Sequence, residues 1–155
     1  MWTETYAQIM DRAIIERLKE EEFTKADKPE LAQKAKGQAI TLESSAKTYV
    51  RQVINGEWEH IPHAHLRFHD HGGETSLPAT VEECLVELQR VHRTYWDTQT
   101  AIQEAKIDID GGSDGRLLGF YDLQLTIDKC NQRRNEVRSH ADLLLVEELD
   151  RYKYI

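Results

Sequence analysis

Helix-breaking residues are sparse in this chain, and most of them fall into a few short stretches. Three prolines and eight glycines occur in 155 residues, which leaves several long segments almost uninterrupted. Strands need frequent turns between them, and turns are rich in proline and glycine. The small number of these residues therefore favours long helices. Within the uninterrupted segments, apolar residues recur at steps of three and four, which is the spacing of one face of a helix.

These repeats predict four helices, near residues 3–22, 29–54, 80–106 and 116–151. Pro29 suits the first turn of the second helix, and Thr80 followed by Glu83 fits a capping box at the start of the third. The stretch 57–78 has no sustained period and is predicted to be a long loop. The sequence therefore predicts an all-α fold, an antiparallel four-helix bundle that forms a single domain over residues 1–155.

The charge of the chain disfavours general binding of nucleic acids. The formal net charge is −8, and an acidic surface repels phosphate. The exception is a basic patch within residues 129–140, which holds Lys129, Arg133, Arg134 and Arg138. Nucleic acid is therefore expected as a partner only through this patch.

Hydropathy argues against a membrane protein. No run of eighteen apolar residues occurs, and the first residues lack the basic and apolar segments of a signal peptide, so we expect a cytoplasmic protein with no membrane partner. Cys84 and Cys130 fall within helical patterns. In a reducing compartment both are expected to be buried thiols and not a disulfide.

Polar residues interrupt the apolar faces of the third and fourth helices. Arg134 falls between Cys130 and Val137, and His92 has a similar place on the third helix. Counted from the turn between the helices, the two lie at levels that differ by roughly 6 Å. We expect a buried Arg134 bonded to acceptors of the third or fourth helix, since an uncompensated buried arginine is costly. The predicted polar layer consists of His92, Tyr95, Asp128, Asn131 and Arg134.

Two interpretations of the polar layer stay open. It is either a satisfied core network that fixes the register of the helices, or a binding or active site.

Histidines are concentrated in the predicted loop. Five lie within twelve residues: His60, His63, His65, His69 and His71. Neutral imidazole is a good ligand for zinc, nickel or copper, so this histidine-rich loop predicts a site for a divalent transition metal. The alternative is a polar loop whose charge changes near neutral pH.

The fourth helix carries a segment that resembles a known family. Residues 127–136 read Ile-Asp-Lys-Cys-Asn-Gln-Arg-Arg-Asn-Glu, and Asp142 follows. This resembles the C-terminal signature of the bacterial domain-of-unknown-function family 4254, and Tyr95-Trp96 is similar to an aromatic step of that family. The resemblance covers about the last 75 residues. His92 stands where asparagine is expected, and Gln99-Thr100 where two acidic residues are expected. The family implies a fold and a polar layer, but no assigned chemistry.

The same segment also resembles the HEPN ribonucleases, which are small helical dimers. Their motif is an arginine, often followed by a polar residue, and then a histidine after four to six residues. Arg134-Asn135 with His140 fits this motif. Arg134 and His140 are about 240° apart around a helix, however, whereas Arg133 and His140 share a face. The resemblance implies that arginine holds the phosphate and His140 acts as a general acid or base.

Three functions follow from these patterns. The leading hypothesis is a helical-bundle protein that works through association, as a homo-oligomer. The first alternative is a metal-independent ribonuclease that uses Arg133, Arg134 and His140. The second alternative is a protein that binds a transition metal through the histidine-rich loop. The sequence does not decide whether the protein is an enzyme.

Overall fold

A computed structural model describes residues 4–55, 76–109 and 114–152 of the chain. They form four helices: α1 (Tyr6–Lys25), α2 (Pro29–Ile54), α3 (Val81–Ile109) and α4 (Asp114–Tyr152). Residues within these ranges form no strand, which confirms the predicted all-α class. Most of the predicted loop 57–78 lies outside the described residues, and Ser76, Leu77 and Pro78 are non-helical.

Local capping explains where two of the helices begin. Thr5 and Gln8 form a capping box, because the Thr5 hydroxyl accepts from Gln8 N at 3.3 Å and Gln8 Oε1 accepts from Thr5 N at 2.9 Å. This box starts α1 three residues later than the apolar repeat predicts. At α3, Glu83 N donates to the Thr80 hydroxyl at 3.1 Å, and Glu83 accepts from Ala79 N at 3.0 Å. The predicted N-cap at Thr80 is therefore confirmed, whereas Glu83 reaches back to the amide of Ala79 and not, as predicted, to that of Thr80.

α1 and α2 pack along their lengths. The rings of Tyr6 and Tyr49 lie 6.4 Å apart between centroids, and Arg17 donates two hydrogen bonds to Glu43 at 2.8 and 3.0 Å. The alanines of α2 are buried, which lets the neighbouring helix approach closely: Ala32, Ala35, Ala39 and Ala46. The alanine face is thus used within the chain.

α1 also packs against α3 and α4, so it lies at the centre of the core. One apolar cluster joins the three helices through Ala7, Ile14, Cys84, Leu88, Val137 and Ala141. A second cluster joins α1 and α2 to the C-terminal half of α4 through Ile9, Ala46, Tyr49, Val53, Leu145 and Leu149. Within the described ranges the backbones of α2 and α3 do not come close to each other. Residues in the middle of α1 therefore face α3 and α4 directly.

Both cysteines are buried and unpaired. Cys84 of α3 is fully buried, and burial raises the pKa of its thiol to about 11. Burial also raises the pKa of the Cys130 thiol in α4. The predicted buried thiols are confirmed, and both are protonated near neutral pH.

Candidate functional site

A fully buried carboxylate lies at the centre of the molecule. Asp11 of α1 has no exposed surface, and it is enclosed by the interior faces of α1, α3 and α4. In the sequence it falls between Ala7 and Ile14, on the side of α1 that joins the first apolar cluster. A buried charge of this kind is tolerated only when other groups compensate it.

Both oxygens of Asp11 have charged or polar partners from other helices. His92 of α3 lies with Nε2 2.6 Å from Oδ1. Arg134 of α4 donates Nε and Nη2 to Oδ2, at 2.9 and 2.6 Å, and Arg138 Nη1 approaches the same oxygen at 3.4 Å. Since an ionised carboxylate can only accept, His92 Nε2 carries the hydrogen of its bond. We call Asp11, His92, Arg134 and Arg138 the Asp11 centre.

Electrostatics keep the Asp11 carboxylate charged. Burial alone would raise its pKa, but the hydrogen bonds from His92 and Arg134, together with the positive charge of Arg134, outweigh burial and lower the pKa of Asp11 below its usual value. The two arginines are partly accessible: 30% of the Arg134 side chain and 26% of the Arg138 side chain are exposed. The Asp11 centre therefore has the carboxylate of Asp11 in the interior and the guanidinium groups of Arg134 and Arg138 extending towards the surface.

The Asp11 centre contains only part of the predicted polar layer. His92 and Arg134 come together, but through Asp11 and not through each other. Tyr95 instead accepts from Gln99 Nε2 on its own helix, at 3.2 Å. The acceptor of Arg134, expected on the third or fourth helix, belongs to α1.

Asp128 and Asn131 of the predicted layer are exposed. Each residue turns a helix by about 100°, so Asp128 lies roughly 120° and Asn131 roughly 60° from Arg134 around α4. The buried face of α4 runs through Ile127, Cys130 and Val137. Because of these angles, Asp128 and Asn131 point away from the buried face and towards solvent.

The basic patch at 129–140 is divided between two sides of α4. Arg134 and Arg138 point to Asp11, whereas Arg133 donates to Glu87 Oε1 of α3 at 3.1 Å and to the Ser76 carbonyl at 3.2 Å. Adjacent residues differ by about 100° around a helix, so neighbours in sequence face different elements. The four cations do not form one continuous surface.

The three residues of the ribonuclease motif have separate partners. His140 Nε2 lies 2.8 Å from the Pro78 carbonyl, at the start of α3. Arg133 binds Glu87, and Arg134 binds Asp11. α4 is one uninterrupted helix across these positions. Arg133 and His140 therefore both face α3, and Arg134 faces α1.

The five histidines of the predicted metal site, His60, His63, His65, His69 and His71, lie outside the described residues. Within the described part of the chain, no group of three His, Cys, Asp or Glu side chains is placed to hold a metal ion. Across the same part, none of the helices combines the length and the apolar character that crossing a bilayer requires.

Comparison with models of protein families, with curated proteins and with solved structures gives no match for this chain. The resemblances to family 4254 and to the HEPN ribonucleases stay predictions.

Proposed function

We propose that this chain is an antiparallel helical-bundle protein that acts by associating with a second copy of itself. Residue pairs support the antiparallel arrangement of α1 and α2, because the partner number falls as the number along α1 rises: Tyr6 contacts Tyr49, and Arg17 binds Glu43. The two unpaired thiols agree with a reducing compartment, and we place the protein in the cytoplasm.

The same reversal relates α3 and α4. Pro78, just before α3, contacts His140, whereas Glu87, farther along, contacts Arg133. If this register continues along both helices, as we propose, the second half of α3 lies beside the first half of α4. We call residues 97–109 of α3 and 114–127 of α4 the distal hairpin.

Among the described residues, the length of the helices leaves the distal hairpin without a third layer. α1 has 20 residues and is roughly 30 Å long, whereas α4 has 39 residues and is roughly 58 Å long. Near its C-terminal end, α1 contacts α3 through Phe23 and Trp96, and it ends at Lys25. Two helices alone bury little apolar surface, and helices depend on such burial for most of their stability.

The observation that carries the proposal is a pair of exposed apolar residues on the distal hairpin. Tyr121 is 61% exposed and Leu125 is 38% exposed. They lie one turn apart and share a face of α4 that points away from buried Ile127. A twofold dimer in which this face meets its own copy would bury both residues and would add a third layer to the hairpin.

The test is the mass of the protein in solution. Light scattering at tens of micromolar should give about twice the chain mass of 18.0 kDa. The double variant Tyr121→Ser, Leu125→Ser should give the single-chain mass. The matched control is Val86→Ser, an equally exposed apolar residue of α3 outside the distal hairpin, and it should remain a dimer. A single-chain mass for the unaltered protein would reject the proposal.

The ribonuclease hypothesis has its own test. Arg133 and His140 face α3 whereas Arg134 faces α1, so the three residues do not converge on one substrate, which favours association over cleavage. Structured RNA should therefore stay intact in the presence of the protein. RNA cleavage that is lost in His140→Ala would establish the ribonuclease instead.

A further inference from the structure

A groove runs between α3 and α4. Its volume is about 410 Å³, which is within the usual size of small-ligand sites. Val91 and Cys130 supply its apolar floor, and both are buried. Arg90, Lys129 and Arg133 lie along its walls. A groove with an apolar floor and several cations suits a ligand that has both an apolar and an anionic part.

The charges of the groove are unevenly compensated. Glu87 accepts from Arg90 at 2.9 and 2.6 Å and from Arg133 at 3.1 Å, so one carboxylate serves two guanidinium groups. Glu136 lies 3.9 Å from Arg133 Nη1, beyond hydrogen-bond distance. Lys129 is exposed, and the described residues give it no ion pair. The groove therefore has an excess of one positive charge.

Arg133 has a donor without an acceptor. Its Nε and Nη2 are bonded to Glu87 and to the Ser76 carbonyl. Its Nη1 is buried, and it is the one buried side-chain polar atom in the described ranges that has no hydrogen-bond partner. A buried donor left without a partner costs free energy, so an oxygen that enters beside Glu136 would be favoured.

We propose that this groove binds a small organic oxyanion, with Arg133 and Lys129 holding the charged end and Val91 and Cys130 contacting the apolar end. Guanidinium groups bind phosphate and carboxylate oxygens through charge-assisted hydrogen bonds, which are stronger than neutral ones. The inference does not require the proposed dimer, because Val91, Cys130 and Arg133 lie off the face of Tyr121 and Leu125; Lys129 lies one turn beyond Leu125, at the edge of that face.

The experiment is a titration of the isotope-labelled full chain, followed by amide and arginine side-chain NMR signals. Phenyl phosphate and benzoate are the two ligand probes, and phenol is the neutral control. Saturable shifts are expected for residues of both groove walls with either anion and not with phenol. A clear preference for phenyl phosphate would assign the ligand to the phosphate monoesters, and a preference for benzoate would assign it to the carboxylates.

Three variants make the expected result specific. Lys129→Gln should weaken binding about tenfold, because it removes a charge-assisted hydrogen bond. Glu136→Gln should tighten it about threefold, because it removes a repelling carboxylate. Lys36→Gln, which removes the same charge from an exposed position of α2, should leave binding unchanged.

Several results would overturn the site. They are the absence of saturable shifts with both anions up to roughly 20 mM, equal shifts with phenol, and an equal loss of binding in Lys36→Gln and Lys129→Gln. Circular dichroism of each variant verifies that its helices are intact, so that a loss of binding reports the site and not the fold.

Discussion

The Asp11 centre and the distal hairpin differ in which residues they bury: the first buries a charge, and the second exposes apolar side chains. At the Asp11 centre, a charged residue is fully buried and is compensated by hydrogen bonds from His92 of α3 and Arg134 of α4. On the distal hairpin, Tyr121 and Leu125 are exposed although they are apolar. The first arrangement is complete within one chain. The second leaves two apolar residues exposed. We therefore infer that the first fixes the packing of the helices, and we propose that two copies associate through the second.

The burial of the Asp11 centre bears on its role in the fold. A buried ion pair is weak evidence for net stability, because its formation costs desolvation of both charges. Breaking it by removing one partner is nevertheless strongly destabilising. The Asp11 centre joins α1 to α3 and α4, and we infer that it fixes how α1 lies against the other two helices.

The largest expected effect comes from removing the buried carboxylate. Asp11→Ala should lower the free energy of unfolding by about 3–5 kcal/mol, because it leaves His92 and Arg134 without their acceptor. Urea denaturation followed by circular dichroism measures this. The control is Asp128→Ala, the loss of an exposed carboxylate, which should change stability by less than about 0.5 kcal/mol. Equal effects of the two substitutions would show that burial of Asp11 is not what matters.

Acid should destabilise the protein through the same carboxylate. The pKa of Asp11 is lower in the folded chain than its ordinary value of 3.8, so its contribution to stability is complete above that value and is lost as pH falls through the folded pKa. Urea midpoints measured from pH 7 to pH 2.5 should fall in acid. In Asp11→Asn the fall below about pH 4 should be shallower, since this titration is absent. Parallel curves for the two proteins would contradict the assignment.

The two cysteines differ in burial, and we expect a smaller effect from this difference. Cys84 is fully buried in the core that α1 covers, whereas Cys130 is slightly exposed on the floor of the groove. In the native protein a thiol reagent should therefore modify Cys130 about tenfold faster than Cys84, through local opening. The rates are measured on Cys84→Ser and Cys130→Ser, each of which retains one thiol. Urea should make the two rates equal, and equal rates in the native state would count against the different burial of the two sites.

Sequence periodicity was sufficient to predict the helices, but it was insufficient to predict which residues of different helices contact each other. The start of α3 followed from Thr80 and Glu83, because capping is local. The late start of α1 could have been predicted in the same way from Thr5 and Gln8. Asp11 could also have been found, since the steps from Ala7 to Asp11, Ile14 and Leu18 are four, three and four, which places a charge within an apolar face.

The pairs made by Asp11 could not be predicted from spacing. His92 is 81 residues away and Arg134 is 123 residues away. Which acceptor meets Arg134 depends on how α1 lies against α3 and α4, and a repeat within one helix carries no information on that. Asp128 and Asn131 were placed in the same layer as Arg134 by level along the helix, although their angle around α4 turns them to solvent.

Hydrogen–deuterium exchange at two protein concentrations tests most directly whether the two regions differ as described. The account predicts that backbone amides of the distal hairpin exchange more slowly at high concentration than at low, since a second copy covers them there. Amides around Asp11, His92 and Arg134 should exchange at the same rate at both concentrations. Distal-hairpin exchange that does not depend on concentration would contradict the account, as would a dependence spread evenly over all four helices.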